Sequence, residues 1–324
     1  MPGAEDWAFP EDLRPKQGDV AFDLEAALDA VVELRAHVPP HAFTAGILGT
    51  ERAGNGVVIG ADGLVLTIGY LIVEAHAIWI ATRRGAVLAG HALAYDHASG
   101  FGLVLALGEL GLAPLARGSA AACPVGAEVF LLGAGGVAHA LRARVFARRE
   151  FAGYWEYVLD DAIFTAPAHP QWGGAALVAR DGRLAGIGSL LVQELHGGRL
   201  VQGNMIVPID LLEPILDDLV RYGRPRRAPR PWLGMYVQEV DGALVVGGLV
   251  AGGPAERAGV KLGDAVLAVA GERPAGLADL FRRIWALGPA GTEIPLTLGR
   301  GAKRLDVRAV SADRNDFLLK PRLH

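Results

Sequence analysis

Gly253-Pro254-Ala255-Glu256-Arg257-Ala258-Gly259-Val260-Lys261-Leu262-Gly263-Asp264-Ala265-Val266-Leu267 is the stretch on which the fold of this chain turns. It sits inside a compact segment, residues 232–312, that opens with Trp232-Leu233-Gly234-Met235-Tyr236-Val237. A helical run, Leu277-Ala278-Asp279-Leu280-Phe281-Arg282-Arg283-Ile284-Trp285, follows, and closing strands run through Val307. Upstream, Arg224-Pro225-Arg226-Arg227-Ala228-Pro229-Arg230-Pro231 combines prolines with positive charge and reads as an extended, solvated linker over 223–231. Before it, Leu211–Val220 predicts a short helix. From 41 to 208 the texture is short β-rich runs such as Gly56–Gly60, Leu64–Thr67, Glu128–Leu132 and Ala176–Ala179, separated by Asp-Gly and Gly-Gly turns. Many short strands at close spacing imply a barrel. At the front, Phe22–Leu34 places apolar groups at helical spacing behind acidic residues, and Pro39-Pro40 stops it, so a helix is predicted over 22–36.

The 324 residues are 52% apolar and 20% charged, enough for two packed cores. A net charge of -4, with its cations scattered apart from the linker, provides no footprint for nucleic acid or an anionic membrane. The first residues, Met1-Pro2-Gly3-Ala4-Glu5-Asp6-Trp7, are acidic and polar where a secretory leader is basic and then apolar, and the expectation is a cytoplasmic protein, with a periplasmic one as the alternative were a leader removed. The single cysteine, Cys123, excludes an intrachain disulfide and reads as a small buried hydrophobe.

The quoted stretch, with its Pro-Ala-x-x-Ala-Gly-x-x-x-Gly-Asp pattern, resembles a bacterial PDZ domain. In such a domain successive backbone N–H groups of the Leu233-Gly234-Met235 turn receive a terminal carboxylate, and the strand through Tyr236 pairs with the peptide backbone. By the same resemblance the pocket for the last side chain draws on Leu233, Met235, Phe281 and Ile284. Trp232 departs from the pattern, where many such loops carry a small residue, and is expected to narrow the carboxylate cradle.

With a PDZ domain at its C-terminal end, the β-rich segment resembles the protease domain of the HtrA (DegP-like) family, a trypsin-like double β-barrel followed by PDZ. The resemblance runs from 41 to 310 and implies a mostly β chain with a barrel domain at 41–222, a PDZ domain (α+β) at 232–312, an N-terminal helical segment at 1–40 and a tail at 313–324. Three family landmarks appear in order. Gly54-Asn55-Gly56-Val57-Val58-Ile59, Asp62-Gly63 and Leu66-Thr67-Ile68-Gly69-Tyr70-Leu71 match the region of the catalytic histidine, with Tyr70 in its place. Asp96-His97-Ala98-Ser99-Gly100-Phe101-Gly102 matches the region of the catalytic aspartate, with Gly100 in its place. His169-Pro170-Gln171-Trp172-Gly173-Gly174-Ala175-Ala176-Leu177 matches the nucleophile loop, with Gly173 in place of serine. Serine, histidine and aspartate act as a unit, so their loss leaves at most binding and the oxyanion hole. That hole is itself in question, since Gln171 stands where the family has a glycine, and Trp172 sets an indole beside the former nucleophile.

The four serines, Ser99, Ser119, Ser189 and Ser311, have no base beside them in sequence except at Ser99, which adjoins Asp96 and His97. Among the nine histidines, His91 and His97 with Asp96, and more distantly His76 and His139, raise a metal question, but their spacing matches no compact metal signature. No cofactor and no metal are expected. The functional expectation is therefore a catalytically inactive HtrA-like protein, not an enzyme, that binds a protein or a C-terminal peptide through PDZ as a scaffold or regulatory subunit. An active homologue, another enzyme or further copies of the chain are the candidate partners. The alternative is an enzyme on the same fold with altered, metal-dependent chemistry.

Overall fold

The computed structural model describes residues 7–196 and 198–319. Two compact units divide it: residues 7–149, 161–225 and 319 form the first, and Glu150–Asp160 with Arg226–Leu318 form the second. No helix among the described residues is long and apolar enough to cross a membrane.

The first unit is two closed β-barrels. Helix α1 (Leu24–Asp29) starts where Asp23 accepts the Ala26 N–H at 3.0 Å, an N-cap that satisfies one orphan donor. The helix expected through residue 36 ends early, because Val31–His37 is strand β1, paired with β2 (Glu51–Val58) on one edge. Val32, Leu34 and Ala36 are buried while Arg35 and His37 face outward, a period of two that the apolar richness of the run conceals. Long-range pairing, together with the stiff β-branched pair Val31-Val32, overrides helix propensity here. The first barrel thus begins at residue 31, inside the segment expected to be helical. After β1 comes a single turn, α2 (Ala45–Leu48). Strands β3 (Leu64–Ile68), β4 (Ala77–Ala81), β5 (Val87–Tyr95) and β6 (Phe101–Ala106) complete the barrel in the order β1-β2-β3-β6-β5-β4.

The second barrel contains β7 (Glu128–Leu132), β8 (Ala140–Gly153), β9 (Tyr157–Ala166), β10 (Ala176–Val178), β11 (Leu184–His196) and β12 (Arg199–Pro208), closed in the order β10-β11-β12-β9-β8-β7. Cys123 lies in its core with Val129, Leu131, Ile163 and Leu177, and burial pushes its thiol up to about 11, so it stays a neutral, apolar filler. Helix α3 (Leu216–Tyr222) begins two residues after Pro214, later than the sequence pattern places it, and ends at the left-handed Gly223.

The second unit is a five-stranded sheet in the order β13 (Met235–Val240), β14 (Ala243–Leu249), β15 (Ala265–Val269), β16 (Glu293–Arg300) and β17 (Lys303–Val310), with helices α4 (Pro254–Arg257) and α5 (Leu277–Ala286). The aspartate of the decisive stretch explains itself: Asp264 is fully buried, accepts Arg300 Nε at 2.7 Å and Nη2 at 2.6 Å, and also accepts the Lys261 N–H at 2.8 Å. Those partners, the Arg300 guanidinium first, hold its carboxyl below the usual range. The solvated linker expected over 223–231 is partly absorbed into this unit, since Arg230 stacks 4.2 Å over the Trp285 ring and the Pro229 carbonyl accepts the Ala290 N–H at 2.9 Å.

Leu34 decides between a dispensable N-terminal helix and a barrel strand. It is 1% exposed, so Leu34→Ala should lower the stability of the first unit by about 2–5 kcal/mol in urea unfolding. A change below about 0.5 kcal/mol, the range of a surface site, would remove β1 from the barrel core.

Candidate functional site

Two places gather the residues singled out by sequence, one in each unit. The first lies where the two barrels meet, and its frame is Asn55 of β2. Asn55 is 2% exposed, and its Nδ2 donates to the carbonyls of Gln171 at 2.7 Å and Gly173 at 3.1 Å. Its Oδ1 accepts the Ala134 N–H at 2.8 Å, and its backbone N–H also donates to the Gly173 carbonyl at 2.8 Å. The loop 171–174 is thereby fixed to the first barrel by one carboxamide. Gly174 completes the join: it is left-handed at φ +76, and a Cβ there would stand 1.8 Å from the Asn55 carbonyl oxygen.

Tyr70 follows β3 in a tight turn that Arg52 holds from beneath, donating to the carbonyls of Tyr70 at 2.9 Å and Val73 at 3.0 Å. The Tyr70 hydroxyl crosses to the second barrel and donates to the Ser189 carbonyl at 2.8 Å. Burial raises its pKa well above the ordinary phenol range, with the Trp172 indole opposing, so it remains a protonated donor. A Cβ built on Gly173 would lie 2.8 Å from that hydroxyl oxygen. Tyrosine and glycine have therefore exchanged volume, and it is Tyr70, rather than Trp172 as sequence suggested, that takes the room of a residue-173 side chain. Gly100 is left-handed at φ +84, and its carbonyl accepts the Gly69 N–H at 2.7 Å. Most side chains there would be strained.

The donor geometry of an oxyanion hole requires the N–H of the nucleophile and of the residue two before it to point at the reacting oxygen. Here the Gln171 N–H is committed to His169 Nδ1 at 3.1 Å. Gln171 does not adopt the left-handed conformation, so its side chain carries no backbone penalty. His169 is fully buried; with Nδ1 accepting, Nε2 carries the proton and donates to the His139 carbonyl at 3.0 Å. Burial draws its pKa down to about 4.

The relocated-serine candidates have other employment. Ser119 Oγ donates to Asp210 at 2.7 Å, Ser311 Oγ donates to the Thr292 carbonyl at 2.7 Å, and Ser99 Oγ accepts the Phe101 N–H at 3.2 Å. His91, Asp96, His97, His76 and His139 do not assemble; among the described residues no group of three His, Cys, Asp or Glu is placed to hold a metal ion.

The second place is the groove of the second unit. Leu233, Met235, Phe281 and Ile284 are all fully buried in one cluster, and Tyr236 is half-buried on β13. Trp232 turns its indole edge-on to Phe317 at 4.8 Å, with its backbone paired to Ala312. The N–H groups of Leu233, Gly234 and Met235 do converge on a carboxylate, that of Glu156. The Gly234 N–H donates to its Oε1 at 2.8 Å, the Leu233 N–H lies 3.2 Å from both oxygens, and the Met235 N–H is 3.3 Å from Oε1. Burial pushes the Glu156 carboxyl up to about 7, against the pull of those three donors and of Arg314.

Residues 54–187 match the family Trypsin-like peptidase domain, and residues 231–310 match the family PDZ domain. A protein named "Probable periplasmic serine endoprotease DegP-like" from Pseudomonas fluorescens is 27% identical over 293 residues, covering 84% of this chain and 59% of the relative. One of the same name from Rhizobium meliloti is 36% identical over 110 residues, 30% of this chain and 21% of the relative. Among solved structures, "HtrA-type protease AlgW with decapeptide" has a TM-score of 0.54 at 18% identity, covering 93% of this chain and 100% of that one. The serine endoprotease from Yersinia pestis has a TM-score of 0.52 at 20% identity, covering 91% and 99%.

The chain is a member of the HtrA-like family.

Two expectations for this HtrA-like chain are corrected by the same comparisons. Its curated relatives are serine endoproteases by name, which overturns the expectation that it is not an enzyme and points to the protease class. They are also periplasmic by name, which overturns the cytoplasmic expectation. The chain spans 59% of the length of the Pseudomonas fluorescens relative.

Sequence reasoning passed over Asn55, His169 and Glu156. Asn55 was visible only as an asparagine where the family carries serine, and Glu156 only as one acid inside the aromatic run Tyr154-Trp155-Glu156-Tyr157.

The Tyr70 and Gly173 exchange predicts a coupled pair. Gly173→Ser should destabilise the first unit by roughly 1–3 kcal/mol through overpacking. Combined with Tyr70→Ala it should cost less than the sum of the single changes, as read by a double-mutant cycle in urea. Additive losses would separate the two side chains. His169 predicts a pH dependence of the opposite sense to a salt-bridged lysine. The unfolded chain protonates this ring near its ordinary 6.5, whereas the folded state resists until about 4, so the unfolded state binds the extra proton between those values. The stability that His169 contributes is full above about 6.5 and is lost as pH falls toward about 4, a span of roughly 3 kcal/mol. His169→Asn should flatten the stability profile across that window; an unchanged slope would count against a neutral buried ring.

Proposed function

We propose that this HtrA-like chain is a periplasmic, protein-binding and regulatory member of the protease class that works by recognising the C-termini of partner proteins in its PDZ groove. One observation carries the reading: three consecutive backbone N–H groups, from Leu233, Gly234 and Met235, aim at a single carboxylate beside the buried apolar cluster of Leu233, Met235, Phe281 and Ile284. Backbone donors of this kind select a carboxylate by geometry, the edge of β13 turned away from β14 supplies strand pairing, and the apolar cluster reads the neighbouring side chain. The periplasmic setting is carried over from the named relatives.

The cleft of the first unit constrains which peptide-bond chemistry is open to the chain. Gly173 presents no side-chain nucleophile, and burial keeps the Tyr70 hydroxyl protonated while it donates to the Ser189 carbonyl. An acyl-serine step at residue 173 has no atom to start from. Asn55 keeps the loop 171–174 in one conformation.

The reading is tested by titrating the full chain with fluorescent peptides. Free-carboxylate peptides ending in an aliphatic residue should bind and their C-terminally amidated counterparts should not, because amidation removes the charge that three N–H groups are aimed at. Equal binding of the two forms would sink C-terminal recognition. In parallel, whatever hydrolysis of casein the full chain shows is expected to persist in the presence of a serine-directed phosphonate. Inhibition with labelling of Ser99, Ser119, Ser189 or Ser311 would instead name a relocated nucleophile.

A further inference from the structure

Residues Glu150–Asp160, the tip joining β8 to β9, belong to the second unit, and what they do there resembles what a peptide ligand does. A C-terminal ligand offers such a groove three features: a carboxylate for the N–H cradle, a backbone that pairs with the edge strand, and an apolar side chain. The tip offers all three. Glu156, 8% exposed, places its side-chain carboxylate on the N–H groups of Leu233, Gly234 and Met235. Two residues earlier, the Tyr154 carbonyl accepts the Val237 N–H of β13 at 3.1 Å, a strand-pairing bond, and its ring meets Tyr236 edge-on at 5.9 Å. Two residues later, Val158 is buried in the cluster that contains Leu233, Met235, Phe281 and Ile284.

The difference from a true chain end is that this chain must go on. Glu156 manages it by taking a left-handed conformation, φ +61, in which the backbone reverses while the carboxylate stays in the cradle. That conformation is uncommon for a residue with a Cβ and persists where surrounding contacts enforce it. The enforcing contacts are present. Arg282 of α5 pairs with Glu150 at 2.5 Å on one stem of the tip and with Asp160 on the other, and Arg314 Nη1 donates to the Trp155 carbonyl at 3.3 Å.

We propose that the 150–160 tip is an internal ligand of the PDZ groove, with Glu156 standing in for a terminal carboxylate, so that a partner's C-terminus ending in an aliphatic residue enters only by displacing it. This rests on the groove being a C-terminus reader. Apparent affinity for an outside ligand is then divided by the fraction of molecules in which the groove is open. A tip seated in more than about nine molecules in ten weakens outside binding by about tenfold or more.

The test uses the full chain and two variants. Glu156→Gly removes the carboxylate while relieving the left-handed backbone, so it separates the cradle contact from turn strain. Glu156→Gln keeps the shape and one acceptor oxygen, and guards against a misfolded glycine variant. Two measurements are made on each: amide hydrogen exchange at Leu233, Gly234, Met235 and Val237, and fluorescence-anisotropy binding of a labelled hexapeptide ending in a free-carboxylate valine, with its amide as control. Glu156→Gly is expected to speed exchange at those amides by about tenfold or more and to tighten the free-acid peptide by at least about tenfold, with Glu156→Gln intermediate. Unchanged exchange would overturn the seating of the tip. Faster exchange with unchanged peptide affinity would overturn its role as a competitor. Faster exchange with no binding of the free-acid peptide by any form would overturn the proposal through its premise, by showing that the groove does not read C-termini.

Discussion

The Asn55 carboxamide is the constraint on which the geometry of the first unit rests. It is a β2 side chain that satisfies two carbonyls and one N–H belonging to the other barrel, while its own main chain takes part in the same join. Buried polar groups left without partners cost about 1–3 kcal/mol each, so these groups are stable together and unstable apart. Gly174 follows from it, since only a residue without a Cβ can pass the Asn55 carbonyl at that distance. The orientation of Gln171 follows as well: with its carbonyl drawn to Asn55, its amide faces His169, and the neutral ring of His169 is the matching acceptor. The position of Tyr70 is then a question of volume, answered by the empty Cβ site at Gly173.

Within this frame, three positions of the cleft are set by backbone conformation and packing. At residue 100 the backbone is left-handed, at residue 171 the N–H is committed to His169, and at residue 173 the Tyr70 hydroxyl stands where a side chain would go. A side-chain substitution at one of these positions would meet the constraints at the other two.

Much of the architecture could be read from local signals. The Gly-Asp pairing in Leu262-Gly263-Asp264 marks a turn whose aspartate is buried on an arginine, and short β-branched runs between glycine turns trace the barrel strands. The helix predicted over 22–36 failed because Val31-Val32-Glu33-Leu34-Arg35-Ala36 is apolar enough to satisfy a period of two or of 3.6, and its partners are residues 51–57 and 77–81, too distant for any window to weigh. The PDZ domain was legible through its resemblance, and Leu233, Met235, Phe281 and Ile284 do share one buried cluster. Their occupant was not, because Glu156 and Gly234 are 78 residues apart and the only local sign was an acid set among aromatics at a hairpin tip. Asn55 and His169 escaped for the same reason, since each acts through a partner on another strand or loop whose identity no spacing rule encodes.

The left-handed Glu156 has a consequence for how such a groove responds to concentration. A ligand carried on the same chain is present at a fixed local concentration, about millimolar for a short flexible tether and undiminished by dilution. Under the proposal, an outside C-terminus faces a competitor that never leaves the vicinity, so that abundant or multiply attached partners would be favoured over scarce ones. The threshold is written in the stems of the hairpin, where Arg282 ties Glu150 and Asp160 together, and changes in that ion pair would reset it without touching a residue that meets the ligand.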